Sequence, residues 1–302
     1  MNKEKWDEEN IPDLSGKIVI VTGATSGIGF EAAKALVNKN AEVIIAVRNP
    51  EKGERAVREI INQNNRANVK VIQLDLADLQ SVKTFAGNFK KTYRSLNILI
   101  NNAGVMNPPY SKTADGFELQ MGTNHFGHFA LTGQLLSLLK STKGARIVNV
   151  SSGLHKSGRI DFDDLNWEKR KYSAMQGYRD SKLANLYFTN ELDRKIKLNN
   201  LNIIAVSAHP GVASTDLGRT SGAFMKLFVK LFAQNPGMGA LPALRAAVDA
   251  NASGGEYFGP SGLMTGYPVI NIPGKISKDE NIAKNLWEVS ERLTGVKFDF
   301  AK

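Results

Sequence analysis

The sequence contains no cysteine, is short of acidic residues relative to basic ones, and lacks a long hydrophobic run. Without cysteine there is no disulfide, thiolate metal site, iron–sulfur cluster or cysteine nucleophile, which suits a reducing compartment. The longest apolar stretch, residues 224–233, contains two lysines and is much shorter than the ~20 residues of a membrane span. The first ten residues are polar and do not form a secretory signal. These features predict a cytoplasmic protein without a membrane span.

Basic side chains exceed acidic ones by 39 to 29, which gives a formal charge of +10. The excess is spread along the chain, and the longest basic run, residues 169–171, follows four acidic residues within 161–168. No basic stripe alternates with aromatic residues, as a platform for single-stranded nucleic acid would require. We therefore expect a solvated surface and no nucleic-acid partner.

The 302 residues alternate short β-branched segments with longer helical patterns. The strand-like segments are residues 17–21, 42–47, 69–74, 96–100, 146–150 and 201–206. Their nearly continuous apolar character is typical of strands covered on both faces. The alternation predicts an α/β fold with one doubly wound parallel sheet and helices on both faces. Since there is no linker or repeat, we expect a single domain over residues 1–302, with an N-terminal extension at 1–13.

A glycine-rich segment follows the first predicted strand. Gly27, Gly29 and Ala32 have the spacing of the dinucleotide-binding fingerprint, in which glycines let the backbone turn tightly and approach a pyrophosphate. The helix that follows would direct its N-terminal N–H groups at the phosphates, as in Rossmann folds. Cofactor contacts are therefore expected from Gly23, Thr25, Ser26, Gly27, Ile28 and Gly29.

The end of the second predicted strand bears on which dinucleotide binds. An NAD enzyme usually places an acidic residue there to hold the ribose hydroxyls, whereas an arginine suits a 2′-phosphate. No acidic residue ends this strand, and Arg48 stands just beyond it. The sequence therefore predicts NADP(H) in preference to NAD(H), with a surface arginine as the alternative interpretation.

Tyr178 and Lys182 are four residues apart and would share one face of a helix. None of the other six tyrosines has a lysine at that offset. A free phenol has a pKa near ~10, and a nearby ammonium group favours its ionised form. The pair is thus a candidate for general acid–base catalysis, although an amphipathic helix with a solvated lysine would give the same spacing.

Taken together, these motifs resemble the short-chain dehydrogenase/reductase superfamily. The resemblance depends on residues 22–29, Asn101-Asn102-Ala103-Gly104, Asn124, Ser151-Ser152 and Tyr178-xxx-Lys182. Residues 124–129, 147–152 and 181–185 further resemble the retinol dehydrogenase-like branch, a pattern shared with the WW-domain-containing oxidoreductase.

The resemblance implies a role for each motif residue. Tyr178 would be the general acid in reduction and the base in oxidation, and Lys182 would lower its pKa and hold the nicotinamide ribose. Ser152 would bond to the substrate oxygen, since the second serine is the one that matches the branch. Asn124 would fix a water molecule beside Lys182.

The resemblance also implies further cofactor contacts after the third, fourth and sixth strands. Those expected near the adenine and along the cofactor are Asp75, Leu76, Asn102, Ala103 and Gly104. Those expected near the nicotinamide follow His209 and are Pro210, Gly211, Val212 and Thr215. Residues 212–236 would cover the substrate.

Two features allow other interpretations. His125 and His128 are three residues apart, but no third ligand has suitable spacing, so we expect packed histidines and no metal. The apolar residues 221–234 could form a lid, part of the core or a membrane-surface contact. A lid would select an apolar carbonyl or alcohol.

The sequence therefore predicts an NADP-dependent oxidoreductase, either a carbonyl reductase or an alcohol dehydrogenase, that acts on a small apolar substrate. A catalytically silent NADP-binding regulator on the same fold is the alternative. The oligomeric state stays open, a homo-oligomer included.

Overall fold

A computed structural model describes residues 5–211, 234–262 and 264–301. In these ranges the strands are β1 Ile18–Thr22, β2 Glu42–Val47, β3 Val69–Gln73, β4 Ile98–Asn101, β5 Ala145–Val150, β6 Ile203–Ala208, β7 Tyr257–Pro260 and β8 Pro268–Ile270. The helices are α1 Gly27–Asn38, α2 Pro50–Gln63, α3 Leu79–Thr92, the short α4 Leu119–Met121, α5 Gly127–Ser141, α6 Ala174–Leu198, α7 Pro236–Val248 and α8 Glu280–Thr294. A π-helical turn, Gly122–Phe126, links α4 to α5.

The strands form one sheet in the order β3-β2-β1-β4-β5-β6-β7-β8. All neighbouring pairs from β3 to β7 are parallel, and β8 pairs antiparallel with β7 at the edge. The predicted doubly wound sheet is confirmed, and the six predicted strands lie within two residues of the observed ones. β7 and β8 were not predicted.

Successive buried residues along a strand point to opposite faces of the sheet. Val19 and Val21 pack on the face covered by α1, α2 and α7, whereas Ile20 packs on the face covered by α3, α5, α6 and α8. Helices cover both faces, which explains why the strand sequences are apolar without alternation.

The strand order reverses direction between β1 and β4, so the chain leaves these neighbours towards opposite sides of the sheet. Ligands of open α/β sheets bind in the crevice that such a reversal creates at the carboxyl ends of the strands. The glycine-rich loop after β1 and residues 102–104 after β4 both lie at this crevice.

Within the described ranges, the helices are too short or too polar to cross a bilayer. The predictions for Val212, Thr215 and residues 221–233 lie outside those ranges.

Candidate active site

The loop after β1 is packed against the loop after β4. Gly23 has a φ of +69°, and a Cβ atom there would lie 2.8 Å from Cα of Ala103. A Cβ at Gly29 would lie 2.5 Å from Nδ2 of Asn102. Both positions therefore require glycine, and α1 begins at Gly27 with its N-terminus at the crevice.

Thr22, the last residue of β1, holds these loops together. Its hydroxyl accepts hydrogen bonds from the N–H groups of Asn102 and Ala103, both at 2.9 Å. The side chain of Asn102 donates in return to the Thr22 carbonyl at 2.9 Å. The segment expected to pass beside a cofactor is thus fixed by the strand that precedes the glycine-rich loop.

A cleft of about 780 Å³ runs along the carboxyl edge of the sheet. It brings together most of the predicted cofactor-binding residues, namely Gly23, Thr25, Ser26, Gly27, Ile28, Gly29, Arg48, Asp75, Leu76, Asn102, Ala103, Gly104, Tyr178, Lys182 and Pro210. Gly211, Asn124 and Ser152 do not line it. Gly211 follows directly and donates its N–H to Nδ1 of His209 at 3.3 Å. The volume is in the usual range for a small-molecule site.

One end of the cleft is lined by cations. Arg48 follows β2, and Lys52 and Arg55 come from α2, whose N-terminus is capped by the side chain of Asn49. In the described part of the chain, none of the three cations forms an ion pair, so their charge is available to an anionic ligand. The sequence analysis named Arg48 but not Lys52 and Arg55, although these two are three residues apart on one helix face. The role of Arg48 in cofactor binding stays a prediction.

Tyr178 and Lys182 lie at the other end, on α6. Both are buried, and Nζ of Lys182 lies 5.7 Å from the centroid of the Tyr178 ring. Nζ donates to the carbonyl of Val150, the last residue of β5, at 3.0 Å. This bond ties the lysine to the sheet and sets its position beside the phenol.

Burial controls the acidity of both groups. It raises the pKa of Tyr178 to about 12, although the interaction with the Ser152 hydroxyl lowers that pKa. Burial also lowers the pKa of Lys182 to about 8. The phenol pKa therefore moves away from neutrality, opposite to the direction expected from the neighbouring ammonium, because desolvation disfavours the phenolate. Tyr178 is protonated at neutral pH and can donate its proton.

The two adjacent serines have different partners. The hydroxyl of Ser151 donates to the carbonyl of Lys182 at 2.7 Å, so it is engaged in holding α6. The hydroxyl of Ser152 accepts the N–H of Leu154 at 3.2 Å and interacts with Tyr178. Ser151 lines the cleft and Ser152 does not, but the hydroxyl that interacts with the phenol is that of Ser152. For the assignment, the position of the Ser152 hydroxyl matters more than which serine lines the cleft. A hydroxyl near the phenol can form a hydrogen bond to a reacting oxygen.

Asn124 occupies the π-helical turn and is buried. Its Nδ2 donates to the carbonyl of Val105 at 3.0 Å and to the Ser181 hydroxyl at 2.9 Å, and its Oδ1 accepts the Val105 N–H at 2.8 Å. A Cβ at Gly104 would lie 3.1 Å from Oδ1 of Asn124 and 3.4 Å from Nζ of Lys182. Asn124 thus clamps the loop after β4 to α6 close to Lys182, and its predicted hold on a water molecule stays a prediction.

His125 and His128 are buried. Nε2 of His125 lies 2.9 Å from the Ser290 hydroxyl, and His128 contacts the Asn124 carbonyl at 3.0 Å and the Thr22 hydroxyl at 2.9 Å. Among the described residues, no cluster of three His, Asp or Glu side chains could hold a metal ion. Burial lowers the pKa of His125 to about 3 and that of His128 to about 4.

These histidines make folding stability dependent on pH. An unfolded histidine titrates near ~6.5, so below that pH the unfolded chain binds more protons than the folded one. Stability should be full above ~6.5 and should decline as the pH falls towards the folded pKa values. We expect a lower denaturation midpoint in urea at pH 5.5 than at pH 7.5. The decline should be smaller in His125→Gln, and equal midpoints for the wild type would contradict this account.

Sequence reasoning also missed Tyr257, a residue beside the reacting groups. Tyr257, on β7, is buried, and its pKa is raised by burial and by the charge of Tyr178. Its hydroxyl lies 3.4 Å from Nδ1 of His155, and its ring stacks on His209 at a centroid distance of 5.0 Å. β7 was not predicted, so no local signal pointed to Tyr257.

The sequence is similar to those of short chain dehydrogenases. The family model described as short chain dehydrogenase matches residues 17–226. Human retinol dehydrogenase 13 is 41% identical over 293 residues, covering 94% of this chain and 86% of its own length. Human retinol dehydrogenase 11 is 42% identical over 291 residues, covering 95% of this chain and 88% of its own length.

Solved structures share the fold of this chain. The crystal structure of an uncharacterized protein from Mycobacterium paratuberculosis is 39% identical, has a TM-score of 0.83, and covers 98% of this chain and 99% of its own. A short chain dehydrogenase from Shigella flexneri, solved in complex with NADP, is 23% identical with a TM-score of 0.65, and covers 82% of this chain and 98% of its own. The second likeness concerns the fold alone.

Proposed function

The chain belongs to the short chain dehydrogenase family, in its retinol dehydrogenase-like branch, and from this we propose that it transfers hydride between NADP(H) and an apolar carbonyl or alcohol. The observation that carries the proposal is the placement of Tyr178, which interacts with the Ser152 hydroxyl, and Lys182 at one end of a cleft. The other end has a glycine-rich loop and three cations that form no ion pair with the described residues.

The residues present fit a dinucleotide. The close approach at Gly23 leaves backbone in place of side chains where a pyrophosphate would lie, and the N-terminus of α1 faces the same space. Gly27, Gly29 and residues 102–104 would hold the phosphates and the adjoining part of the cofactor. The nicotinamide would supply or accept the hydride when bound.

Side chains of this protein would donate and accept the proton. In reduction the Tyr178 hydroxyl donates its proton to the substrate oxygen, while the Ser152 hydroxyl donates a hydrogen bond to that oxygen as negative charge develops. In oxidation Tyr178 must first lose its proton, and the Lys182 ammonium stabilises the resulting phenolate. Because burial raises the pKa of Tyr178 to about 12, the phenol carries near neutral pH the proton that reduction requires.

An apolar substrate is the class proposed. Val105, Met106, Pro108 and Val150 line the cleft near its reacting end and offer an apolar wall. The relatives are named retinol dehydrogenases, so a retinoid aldehyde belongs in any test panel beside simpler ketones and aldehydes. A location in the cytoplasm stays a prediction.

NADP(H) is proposed in preference to NAD(H) because three cations, Arg48, Lys52 and Arg55, line the cleft without ion-pair partners among the described residues. Arginine is suited to a phosphate because its planar guanidinium donates two parallel hydrogen bonds.

Arg48→Ala should raise KM for NADPH by about ten- to a hundredfold, since a hydrogen bond to a charged group contributes ~1.5–3 kcal/mol. KM for NADH should change little, because NADH lacks the 2′-phosphate. Arg58→Ala is the matched control, since Arg58 is exposed on the same α2 but does not line the cleft. A wild-type preference for NADH, or an equal effect on both cofactors, would contradict the assignment.

A further inference from the structure

His155 contacts the backbone of Ser152 and takes no part in the chemistry proposed above. It belongs to a short 3-10 helix, Gly153–Ser157, and is fully buried. Nδ1 lies 2.6 Å from the Ser152 carbonyl oxygen, and Nε2 accepts the N–H of Gly274 at 2.9 Å. The ring therefore bridges the loop after β5 and a segment between β8 and α8.

These two contacts determine the tautomer of the ring. A backbone N–H is always a donor, so Nε2 must be the acceptor and cannot carry a hydrogen. Burial lowers the pKa of His155, which keeps the ring neutral. A neutral ring carries one hydrogen, and it must be on Nδ1, where it donates to the Ser152 carbonyl.

The carbonyl that His155 contacts belongs to Ser152, the same residue whose hydroxyl is proposed to bind the substrate. The Ser152 carbonyl also accepts the backbone N–H of His155 at 3.1 Å, so two bonds from one residue fix it. The ring packs edge-on against Tyr257, with centroids 5.4 Å apart at 85°, which blocks rotation of the ring on that side. The Ser152 hydroxyl in turn interacts with Tyr178.

From this geometry we propose that His155 is a positioning residue, which holds the Ser152 hydroxyl in place for the reaction through an Nδ1–H bond to the Ser152 carbonyl. The inference rests on the proposed function, since it concerns how the Ser152 hydroxyl is aimed. His155 itself does not touch the reacting atoms. The second bond, from Gly274 to Nε2, serves to select the tautomer.

Two conservative substitutions distinguish the contribution of Nδ1 from that of Nε2. The amide nitrogen of asparagine lies the same number of bonds from Cβ as Nδ1, so His155→Asn retains a donor for Ser152 and loses the acceptor for Gly274. The amide group of glutamine lies the same number of bonds from Cβ as Nε2, so His155→Gln retains the acceptor and loses the donor. Ser157→Ala is the control, since Ser157 is exposed on the same 3-10 helix and its side chain is not part of the site.

We expect kcat for an apolar ketone with NADPH to fall by about ten- to a hundredfold in His155→Gln, as small misplacements of a reacting group do. His155→Asn and Ser157→Ala should stay within about threefold of the wild type, and KM for NADPH should change less than twofold in all three. If the asparagine and glutamine variants behave alike, or if glutamine is the better replacement, the proposal is wrong.

The tautomer is measured without turnover. In 15N-labelled wild-type protein, the ring of His155 should show a protonated Nδ1 and an unprotonated Nε2. A protonated Nε2 would overturn the proposal even if the variants fail to fold. An inactive wild type with the expected tautomer would instead refute the proposed function and leave the bridge itself intact.

Discussion

Tyr178→Phe is expected to lower kcat for reduction of an apolar carbonyl by about 10²- to 10⁴-fold, the usual contribution of a positioned acid or base. The substitution removes one hydroxyl and keeps the ring, so the packing of a side chain that is only 6% exposed should survive. Because the Lys182–Val150 bond does not involve the phenol, Kd for NADPH should change less than about threefold. Steady-state kinetics with NADPH, together with cofactor titration by fluorescence, measure both quantities.

The same helix provides a matched control. Tyr187 is also a buried tyrosine on α6, but its hydroxyl donates to the Ile276 carbonyl at 2.6 Å, away from the cleft. Tyr187→Phe should lower stability by about 1 kcal/mol, the usual cost of one hydrogen bond, and should leave kcat nearly unchanged. If Tyr178→Phe retains more than a tenth of wild-type kcat, Tyr178 is not the proton donor.

Ser152→Ala is expected to lower kcat by about 10²- to 10³-fold, the effect of removing one hydrogen-bond donor to a developing oxyanion. Ser151→Ala should have a much smaller effect on kcat, because the Ser151 hydroxyl is bonded to the Lys182 carbonyl. Its loss should appear mainly as a stability decrease of about 1 kcal/mol.

Comparing the two alanine variants decides between the serines. Thermal unfolding of both proteins separates a loss of structure from a loss of catalysis. A large fall in kcat for Ser151→Ala with little change for Ser152→Ala would move the role to Ser151, and the inference about His155 would then lose its basis.

The central sheet could be predicted because its strands are buried on both faces and are separated by regular helices. β7 and β8 could not, since Tyr257–Pro260 contains a glycine and a proline and Pro268–Ile270 has only three residues. Strands this short give no periodic signal, and their pairing at the sheet edge is decided by tertiary contacts.

The cofactor end was predictable because glycine spacing expresses a local backbone requirement. The reacting end of the cleft was only partly predictable from the sequence. The offset between Tyr178 and Lys182 is visible in the sequence, but the burial that raises the phenol pKa is a property of the folded structure. Likewise, His155 meets Gly274 across more than a hundred residues, so no short motif could reveal that contact.

The most direct test is NADPH oxidation by the wild-type protein with a panel of apolar aldehydes and ketones, retinal included. The account predicts NADPH consumption matched by formation of the alcohol, with activity lost in Tyr178→Phe. Tight NADPH binding without turnover of any carbonyl, or of the matching alcohols with NADP⁺, would contradict it and would favour a silent NADP-binding protein.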